Sequence, residues 1–281
     1  MALTVTGLDI EQMAPELGAI VSGVDLRRPL DPAMVDAVRG AVLEHGVLFF
    51  RGQHLSQDEM ADFVSNFGTP CVDPFSGNET PIPAKDTVID MVTMPYARAT
   101  SVWHIDSSLA AAPASLMALR ASKVPAVGGD TCFASMYAAY DALSAPLRSM
   151  LDGLTALHTS YKVIPLMAGA NYGGLQEEMA NVHPVVRVHP ETGRKALFVD
   201  ELWTQRIVEL SWRESDHLLA MLFEHVKSPA FMVRWHWKQD DVAFWDNRCL
   251  QHYAVNDYDT ERIMQKALVA GDRPYGPSAA R

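Results

Sequence analysis

The N-terminal part of the chain alternates between helical and strand-like patterns of apolar residues. Residues 31–46 start with an Asp-Pro pair, carry valines at helical spacing and end in glycine, which predicts a capped helix. The continuous apolar run 47–50 predicts a buried strand. Ser56 and Glu59 form a capping box before the apolar residues of a second helix, and Gly68 is placed to end it.

Beyond residue 100, apolar and polar residues mostly alternate with period 2, the pattern of half-buried strands. Helical patterns interrupt this alternation at 137–143 and 214–226. The strand-like segments begin at Leu116, Thr131, His183, Lys195, Phe231, Val242 and Arg262. Many strands without regular alternation of strand and helix favour a mostly β fold with flanking helices, either closed or built from two antiparallel sheets.

Residues 70–100 are rich in Pro, Gly, Asn and Asp and follow no sustained period. We interpret them as a long loop and, because such loops often serve function, as a lid over an active site. No repeat or linker divides the chain. Its 281 residues, 48% hydrophobic and 20% charged, therefore predict one globular domain spanning 1–281.

The charge balance and the cysteines narrow the range of partners. The 23 basic and 34 acidic residues give a formal net charge of -11, which disfavours binding to nucleic acid. The three cysteines are scattered and form no Cys-X-X-Cys pair, so we expect neither a disulfide framework nor a zinc knuckle. With no secretory pattern and no long apolar stretch, the sequence predicts a cytoplasmic protein without a membrane segment.

Two of the ten histidines stand in a context that suggests metal binding. His104 and Asp106 are two positions apart, so in an extended strand both side chains lie on one face. His252 follows a turn signal on another predicted strand. Two imidazoles and one carboxylate are the ligands of an iron facial triad, which leaves positions open for substrates. The spacing fits an ordinary turn equally well and does not show that these distant residues meet.

A second group of residues could bind an anion. On the alternating segment that begins at Arg262, this arginine and Lys266 share one face. Cations that point into a barrel need anionic partners, although an ordinary ion pair or a solvated face fits the same pattern. Thr131, on a nearby predicted strand, could add a hydroxyl donor to the same anion.

Several longer stretches carry a family resemblance. They are WHID at 103–106, PAVGGDTCFASMYAAYDALS at 125–144, VHPVVRVHPETGRKALFV at 182–199, WDNRCLQHYAVNDY at 245–258 and RIMQKALVAGDRP at 262–274. Together with GAIVSGVDLRRPLD and HGVLFFRGQ near the N-terminus, they resemble the taurine dioxygenase (TauD/TfdA) family. That family comprises Fe(II)- and 2-oxoglutarate-dependent dioxygenases, including herbicide-degrading aryloxyalkanoate and alkylsulfatase members.

The resemblance implies a double-stranded β-helix, or jelly-roll, core with Fe(II) bound by His104, Asp106 and His252. It implies 2-oxoglutarate as the cosubstrate, with its distal carboxylate paired with Arg262 and assisted by Thr131. O2 would be the oxidant, and succinate and CO2 would form beside the hydroxylated product. A homo-oligomer, a dimer or a tetramer, is implied as well.

The substrate position departs from the taurine members of the family. Where the taurine members carry a second arginine that binds the sulfonate, the resembling position in this sequence is Lys266. Lysine keeps the positive charge but lacks the planar fork of arginine. Residues 70–73 contain no histidine where taurine enzymes bring one to the sulfonate. We therefore expect a small anionic sulfonate, sulfate ester or aryloxyalkanoate rather than taurine. Asp73, Tyr96 and Trp103 are further candidates for substrate contacts.

Two other functions use the same ligand set. A hydrolase of the zinc type would use metal-bound water as the nucleophile, and a non-catalytic jelly-roll module would only bind the metal. The pairing of Arg262 with Thr131 favours the dioxygenase, because hydrolysis needs no anchor for 2-oxoglutarate.

Overall fold

The computed structural model describes residues 3–5, 7–72, 84–93, 101–161 and 179–279. The first half begins with strands β1 (Leu3–Val5), β2 (Leu8–Ala14) and β3 (Leu17–Ser22). Helix α1 (Pro32–His45), strand β4 (Val47–Phe50) and helix α2 (Gln57–Ser65) follow. After them come β5 (Pro70–Cys71), a 3-10 helix (Ala84–Thr87), β6 (Ile89–Thr93), β7 (Leu116–Lys123) and β8 (Thr131–Ser135).

The second half continues with helices α3 (Met136–Asp141) and α4 (Ala145–Leu151) and strand β9 (Thr155–Thr159). Strands β10 (Ala180–Pro184), β11 (Val186–Val188), β12 (Lys195–Leu197) and β13 (Thr204–Ile207) lead to helix α5 (Trp212–Val226). A 3-10 helix (Pro229–Phe231), β14 (Met232–Trp235), β15 (Val242–Asp246), β16 (Leu250–Ala254), β17 (Arg262–Val269) and a last 3-10 helix (Pro277–Ala279) follow.

The strands described form one large sheet and three smaller ones. The large sheet has nine strands in the order β1, β2, β3, β4, β15, β7, β17, β5, and β6 also pairs with β17. Its pairs are antiparallel except β3 with β4. A second sheet has the order β14, β8, β16, a third has β10, β9, β13, and β11 pairs with β12. The prediction of a mostly β fold with flanking helices is confirmed.

Aromatic side chains fill the space between the large sheet and the second sheet. Phe49 of β4 stacks on Trp235 of β14, with 4.1 Å between ring centroids. Phe133 of β8 meets Phe49 edge-on at 5.6 Å and Trp245 of β15 at 5.5 Å. All four side chains are buried, so the two sheets pack face to face around an aromatic core.

The other face of the large sheet also carries apolar side chains, and helix α2 packs against them. Phe50 follows the inward-facing Phe49 on β4, and Phe244 precedes the inward-facing Trp245 on β15. Since neighbouring residues of a strand face opposite sides, Phe50 and Phe244 point to the other face of the sheet. Both rings pack against Phe63 of α2, at 6.3 Å and 5.1 Å between centroids. This arrangement places α2 outside the sheet and leaves the inner face for the site.

The predicted helix at 31–46 is confirmed by α1. The Asp31 carboxylate accepts a hydrogen bond from the Met34 N–H at 2.8 Å, which caps the helix start. Gly46 follows the last turn with φ of 72°, a backbone conformation that favours glycine. The buried strand predicted at 47–50 is β4.

The predicted capping box of α2 is also present, with Ser56 and Glu59 bonded reciprocally. The predicted end at Gly68 is wrong, because α2 ends at Ser65. The side-chain amide of Asn66 donates to two carbonyl groups of the last turn, which satisfies them before the glycine is reached.

Three predicted segments differ from the strands observed. The run that begins at Phe231 is a strand only at Met232–Trp235, because Lys238 N–H then bonds to the Asp241 carboxylate in a turn. The run from His183 is divided at Val185 between β10 and β11, which pair with different strands. Inside the segment interpreted as a loop, β6 pairs with β17. Residues 73–83 and 94–100 of the predicted lid lie outside the described residues.

No helix among the residues described combines the length and hydropathy needed to cross a membrane.

Candidate metal centre and anion site

Backbone pairing brings the two candidate histidines together. His104 and His252 form an isolated antiparallel bridge, with N–H to O distances of 3.1 Å and 3.0 Å. Both residues are buried, and their ring centroids are 4.1 Å apart. Residues far apart in the sequence therefore present their imidazoles side by side, as the metal hypothesis requires.

Asp106 reaches the same place from a turn. The expected extended geometry holds at His104, but Asp106 begins a turn rather than continuing a strand. Asn247 holds that turn from both sides: its Oδ1 accepts from the Asp106 N–H at 3.2 Å, and its Nδ2 donates to the Asp106 carbonyl at 2.9 Å. Asn247 also donates to the Ala114 carbonyl at 3.0 Å. Asn247 belongs to the turn signal that precedes His252 in the sequence, and that local pattern gives no sign of this bracing role.

The three side chains form a compact set of metal-ligand atoms. One atom from each of His104, Asp106 and His252 lies within 4.8 Å of the others. His104 Nε2 is 3.4 Å from Asp106 Oδ1, and His252 Nε2 is 4.0 Å from Asp106 Oδ2. Two imidazole nitrogens and one carboxylate could bind one metal ion from the same side. This donor set suits a facial metal site, which leaves the other coordination positions open.

Hydrogen bonds and ring packing orient the two imidazoles. His104 Nδ1 lies 2.7 Å from the Val102 carbonyl, which can only accept, so this nitrogen carries the hydrogen. His104 Nε2 is then the ring nitrogen that faces Asp106, the orientation of a histidine that ligates through one nitrogen and donates its other N–H to a carbonyl. The His252 ring packs against Trp245 at 5.2 Å and against Phe133 at 6.1 Å between centroids.

The charges of the cluster favour the ligating protonation states of Asp106 and His252, whereas at His104 the hydrogen bond and charge of Asp106 outweigh burial and raise the pKa. Burial would raise the pKa of Asp106, but Lys266 and the two histidines hold it well below its usual range. Burial, with the neighbouring His104, lowers the pKa of His252 to about 3. Near neutral pH the centre therefore holds an ionised carboxylate beside a neutral His252, the forms that bind a metal.

Thr131 and Arg262 form a second polar site close to the histidines. Arg262 Nη2 is 3.5 Å from Thr131 Oγ1, and both residues are buried. On the paired strands β8 and β16, Thr131 lies opposite Ala254 and His252 opposite Phe133. Thr131 is therefore a diagonal same-face neighbour of His252, at a Cβ separation of about 7–8 Å. Burial lowers the pKa of Arg262, which stays far above neutral pH for a guanidinium.

Of the candidates for substrate contacts, two lie among the described residues and two do not. Lys266 is buried on the same strand as Arg262, and its Nζ lies 3.8 Å from Asp106 Oδ2, so it faces the metal centre. Trp103 is buried with its ring 5.7 Å from that of Tyr253. Asp73 and Tyr96 lie outside the described residues.

A buried polar cluster behind the Asp106 turn was missed. Ser108 Oγ lies 2.8 Å from Asp200 Oδ2 and 3.0 Å from His158 Nδ1. Asp200 Oδ1 accepts from the N–H groups of Leu202 and Trp203 at 3.0 Å and 2.7 Å. Burial raises the pKa of Asp200 to about 6. The bonds of Asp200 to Leu202 and Trp203 are local, but no local pattern indicates the bond to Ser108, which comes from a distant segment.

Comparisons with known proteins agree over nearly the whole chain. The family model "Taurine catabolism dioxygenase TauD, TfdA family" matches residues 9–268. The alpha-ketoglutarate-dependent sulfate ester dioxygenase of Pseudomonas putida is 38% identical, over 96% of this chain and 91% of that protein. The (S)-phenoxypropionate/alpha-ketoglutarate-dioxygenase of Delftia acidovorans is 35% identical, over 98% and 99%. The crystal structure of a taurine dioxygenase from Burkholderia xenovorans is similar with a TM-score of 0.82 at 34% identity, covering 97% of this chain and 92% of that one.

Proposed function

This chain belongs to the TauD/TfdA family of α-ketoglutarate-dependent dioxygenases, and from that premise we propose that it oxidises a small anionic sulfate ester, sulfonate or aryloxyalkanoate. The enzyme is an oxidoreductase that uses α-ketoglutarate (2-oxoglutarate) as cosubstrate. The observation that carries the site assignment is the convergence of His104, Asp106 and His252 to within 4.8 Å of one another.

Fe(II) is the proposed metal, held by His104, Asp106 and His252. The donor set is the one expected for Fe(II) oxygenases, and the hydrogen bond from His104 Nδ1 to Val102 supports the ligating orientation of that ring. When bound, Fe(II) supplies the oxygen-activating chemistry that no amino-acid side chain provides. The protein residues supply the ligand geometry, the buried setting and the open side on which substrates bind.

Arg262 and Thr131 are proposed to hold the distal carboxylate of 2-oxoglutarate. A buried guanidinium beside a hydroxyl is a donor-rich site that favours a carboxylate. The diagonal placement of Thr131 and His252 on paired strands supports a single dicarboxylate reaching from this site to the metal. This pair also favours oxygenase chemistry over zinc-type hydrolysis or simple metal binding, since neither of those needs a second anion site.

The anionic substrate is proposed to bind on the side of the centre where Lys266 lies. The buried Lys266 ammonium supplies a positive charge without the planar fork of arginine, which supports an anionic substrate but not a bidentate sulfonate clamp. The similarity to a sulfate ester dioxygenase makes sulfate esters the first candidates, ahead of taurine. Trp103, Asp73 and Tyr96 stay proposed substrate contacts.

Oxidation at the carbon that bears the ester oxygen would explain a sulfate-releasing activity. A hydroxyl group placed on that carbon gives a hemiacetal-type product, which collapses to a carbonyl compound and sulfate. Hydroxylation of an aryloxyalkanoate at the equivalent carbon would release a phenol. Succinate and CO2 would be the common co-products of all three substrate classes.

The finer features of the fold and assembly belong to the same proposal. Two antiparallel sheets that pack through Phe49, Trp235, Phe133 and Trp245 support a double-stranded β-helix core. We also propose a single domain over 1–281, a lid within 70–100, a homo-oligomer and a cytoplasmic location. No disulfide joins the three cysteines, all of which lie within the described residues, and this fits a reducing compartment.

Substrate-dependent turnover tests this proposal. Purified protein with Fe(II), ascorbate, 2-oxoglutarate and O2 is incubated with an alkyl sulfate, an alkyl sulfonate, an aryloxyalkanoate and taurine, and succinate and the released anion or phenol are measured. We expect succinate release to be coupled to at least one of the first three substrates and to be weakest with taurine. Turnover of taurine alone would contradict the substrate assignment, and no succinate with any substrate would contradict the activity.

A further inference from the structure

Trp237 is attached to the anion site by a hydrogen bond that the proposed reaction does not by itself explain. Its indole Nε1–H donates to Thr131 Oγ1 at 2.9 Å, and both side chains are buried. Arg262 Nη2 approaches the same oxygen at 3.5 Å. Thr131 Oγ1 therefore lies between two N–H groups from different parts of the chain.

The chemistry of these donors decides where the threonine proton points. Indole and guanidinium N–H groups can only donate, so Thr131 Oγ1 must accept from both of them. Its own O–H then needs an acceptor in a different direction, and no residue of the described ranges provides one for it. Because a buried hydroxyl proton without an acceptor is costly, the geometry is prepared for an acceptor that arrives with a ligand.

The backbone around Trp237 is held firmly against the strand of Thr131. Asp130, which precedes Thr131, accepts a hydrogen bond from Arg234 Nε through Oδ2 at 2.6 Å. Its Oδ1 lies 2.8 Å from His236 Nδ1. Beyond Trp235 the chain leaves the sheet, which allows the indole edge of Trp237 to reach Thr131 from the side. The Trp237 ring lies nearly perpendicular to that of Trp235, at 86° and 6.5 Å between centroids.

We propose that Trp237 is a positioning residue for the cosubstrate: its N–H sets the Thr131 hydroxyl so that the O–H donates to the distal carboxylate of 2-oxoglutarate held by Arg262. The inference rests on the proposed function, since it assigns a role in that same site. Trp237 itself does not contact the ligand. Together with Arg262, it keeps both lone pairs of the Thr131 hydroxyl oxygen occupied and the hydroxyl proton available to the ligand.

Trp237→Phe removes the N–H while keeping an aromatic ring, and Trp235→Phe is the matched control. Trp235 is also buried, but its Nε1 has no hydrogen-bond partner among the described residues, so the control removes an N–H that orients nothing. Binding of 2-oxoglutarate to Mn(II)-loaded protein is measured by calorimetry without O2. We expect Trp237→Phe to weaken binding about fivefold, the effect of one ordinary hydrogen bond, and Trp235→Phe to weaken it less than twofold.

Two further comparisons separate positioning from general damage. In a Thr131→Val background, Trp237→Phe should cause no additional loss, because the hydroxyl it orients is gone. With 2-oxopentanoate, which has a methyl group in place of the distal carboxylate, wild type and Trp237→Phe should compete for the site equally. Mn(II) affinity and melting temperature, measured for every variant, report whether the metal site and the fold are intact.

The outcomes are distinct. Three results would each overturn the role of Trp237. The first is an equal loss of 2-oxoglutarate affinity in Trp237→Phe and Trp235→Phe, and the second is a further loss when Trp237→Phe is added to Thr131→Val. The third is a loss of 2-oxopentanoate affinity in Trp237→Phe as large as its loss of 2-oxoglutarate affinity. If Mn(II)-loaded wild type binds no 2-oxoglutarate, the cosubstrate assignment itself fails. If wild type binds it and Trp237→Phe binds it unchanged, the cosubstrate assignment stands and only this inference fails.

Discussion

The metal centre and the Thr131 site, close together on the inner face of the sheets, offer opposite chemistry. At the metal centre the converging atoms are acceptors, namely the oxygens of Asp106 and the nitrogens of His104 and His252. At Thr131 the converging groups are donors, from Trp237 and Arg262. An acceptor-rich end favours a cation and a donor-rich end favours an anion, so the pocket is matched to a metal ion and the far carboxylate of one ligand.

Lys266 is the exception to this division, because it is a donor at the acceptor-rich end. It places a cation 3.8 Å from Asp106 Oδ2, inside the otherwise acceptor-rich end. A lone buried carboxylate would tend to take up a proton, and the ammonium counters that tendency by lowering the pKa of Asp106. The acceptor-rich end is therefore kept ionised by the same residue that is proposed to attract the anionic substrate.

The largest effect is expected from removing an acceptor at the metal centre. His104→Ala leaves two ligands and breaks the facial arrangement, so we expect metal affinity to fall about a thousandfold or more. Anaerobic calorimetry with Mn(II) measures it. His45→Asn, which changes a partly buried histidine at the end of α1, is the control and should keep wild-type affinity. Retained affinity in His104→Ala would remove that residue from the ligand set.

The buried acid behind the Asp106 turn should make stability depend on pH. Burial raises the pKa of Asp200 from the ordinary 3.8 of an aspartate to about 6, so between these values the folded state binds more protons than the unfolded state. Stability therefore falls as pH rises through this window. Asp200→Asn removes this contribution, so its unfolding free energy relative to wild type should rise by about 2 kcal/mol from pH 4 to pH 7.

Urea unfolding of metal-free wild type and Asp200→Asn at several pH values measures this difference. Asp31→Asn, at the exposed start of α1, is a control for the effect of replacing any carboxylate. A relative stability of Asp200→Asn that stays constant from pH 4 to pH 7 would show that Asp200 does not titrate in this window.

At the donor-rich end, the fork of Arg262 should matter in addition to its charge. Arg262→Ala should raise the KM for 2-oxoglutarate about a hundredfold, and Arg262→Lys about tenfold, because lysine cannot pair with both carboxylate oxygens. Initial rates of succinate formation give both values, and Mn(II) affinity should stay unchanged. Loss of metal binding in either variant would contradict the separation of the two ends.

The smallest effect is expected from the brace that holds Asp106. Asn247→Ala removes hydrogen bonds to Asp106 and Ala114, so metal affinity should fall about tenfold through loss of ligand orientation. Asn66→Ala, at the end of α2, is the control, since its side chain bonds only to carbonyls of its own helix. An Asn247→Ala protein with wild-type metal affinity would show that the Asp106 turn is held without it.

Local patterns predicted much of the framework and of the site. The caps of α1 and α2 and the alternation of β7, β8, β15 and β17 depend on residues close in sequence, so they are visible in it. His104, Asp106 and His252 were candidates for the same reason, because an ionisable pair and a histidine beside a turn stand out. Their spacing did not show that they meet; in the structure the antiparallel bridge brings the two histidines together, and the role of the three residues as ligands stays a prediction.

The supporting residues could not be predicted because their partners are far away in the sequence. Asn247 braces Asp106, Trp237 bonds to Thr131 and Asp200 bonds to Ser108, each across a large separation. An asparagine in a turn or a tryptophan in an alternating run has the same local pattern whether or not it has such a partner. The wrong end of α2 has a different, local origin: the side-chain amide of Asn66 satisfies carbonyls of the last turn before the glycine is reached.

The most direct test of the central claim is an anaerobic absorbance titration of metal-free protein with Fe(II) and 2-oxoglutarate. It reports whether one ligand spans the acceptor-rich and donor-rich ends. We predict a weak visible charge-transfer band in wild type, its absence in His104→Ala, and its recovery only at much higher 2-oxoglutarate in Arg262→Ala. Wild-type protein that binds Fe(II) but develops no band, or an Arg262→Ala titration identical to wild type, would contradict the account.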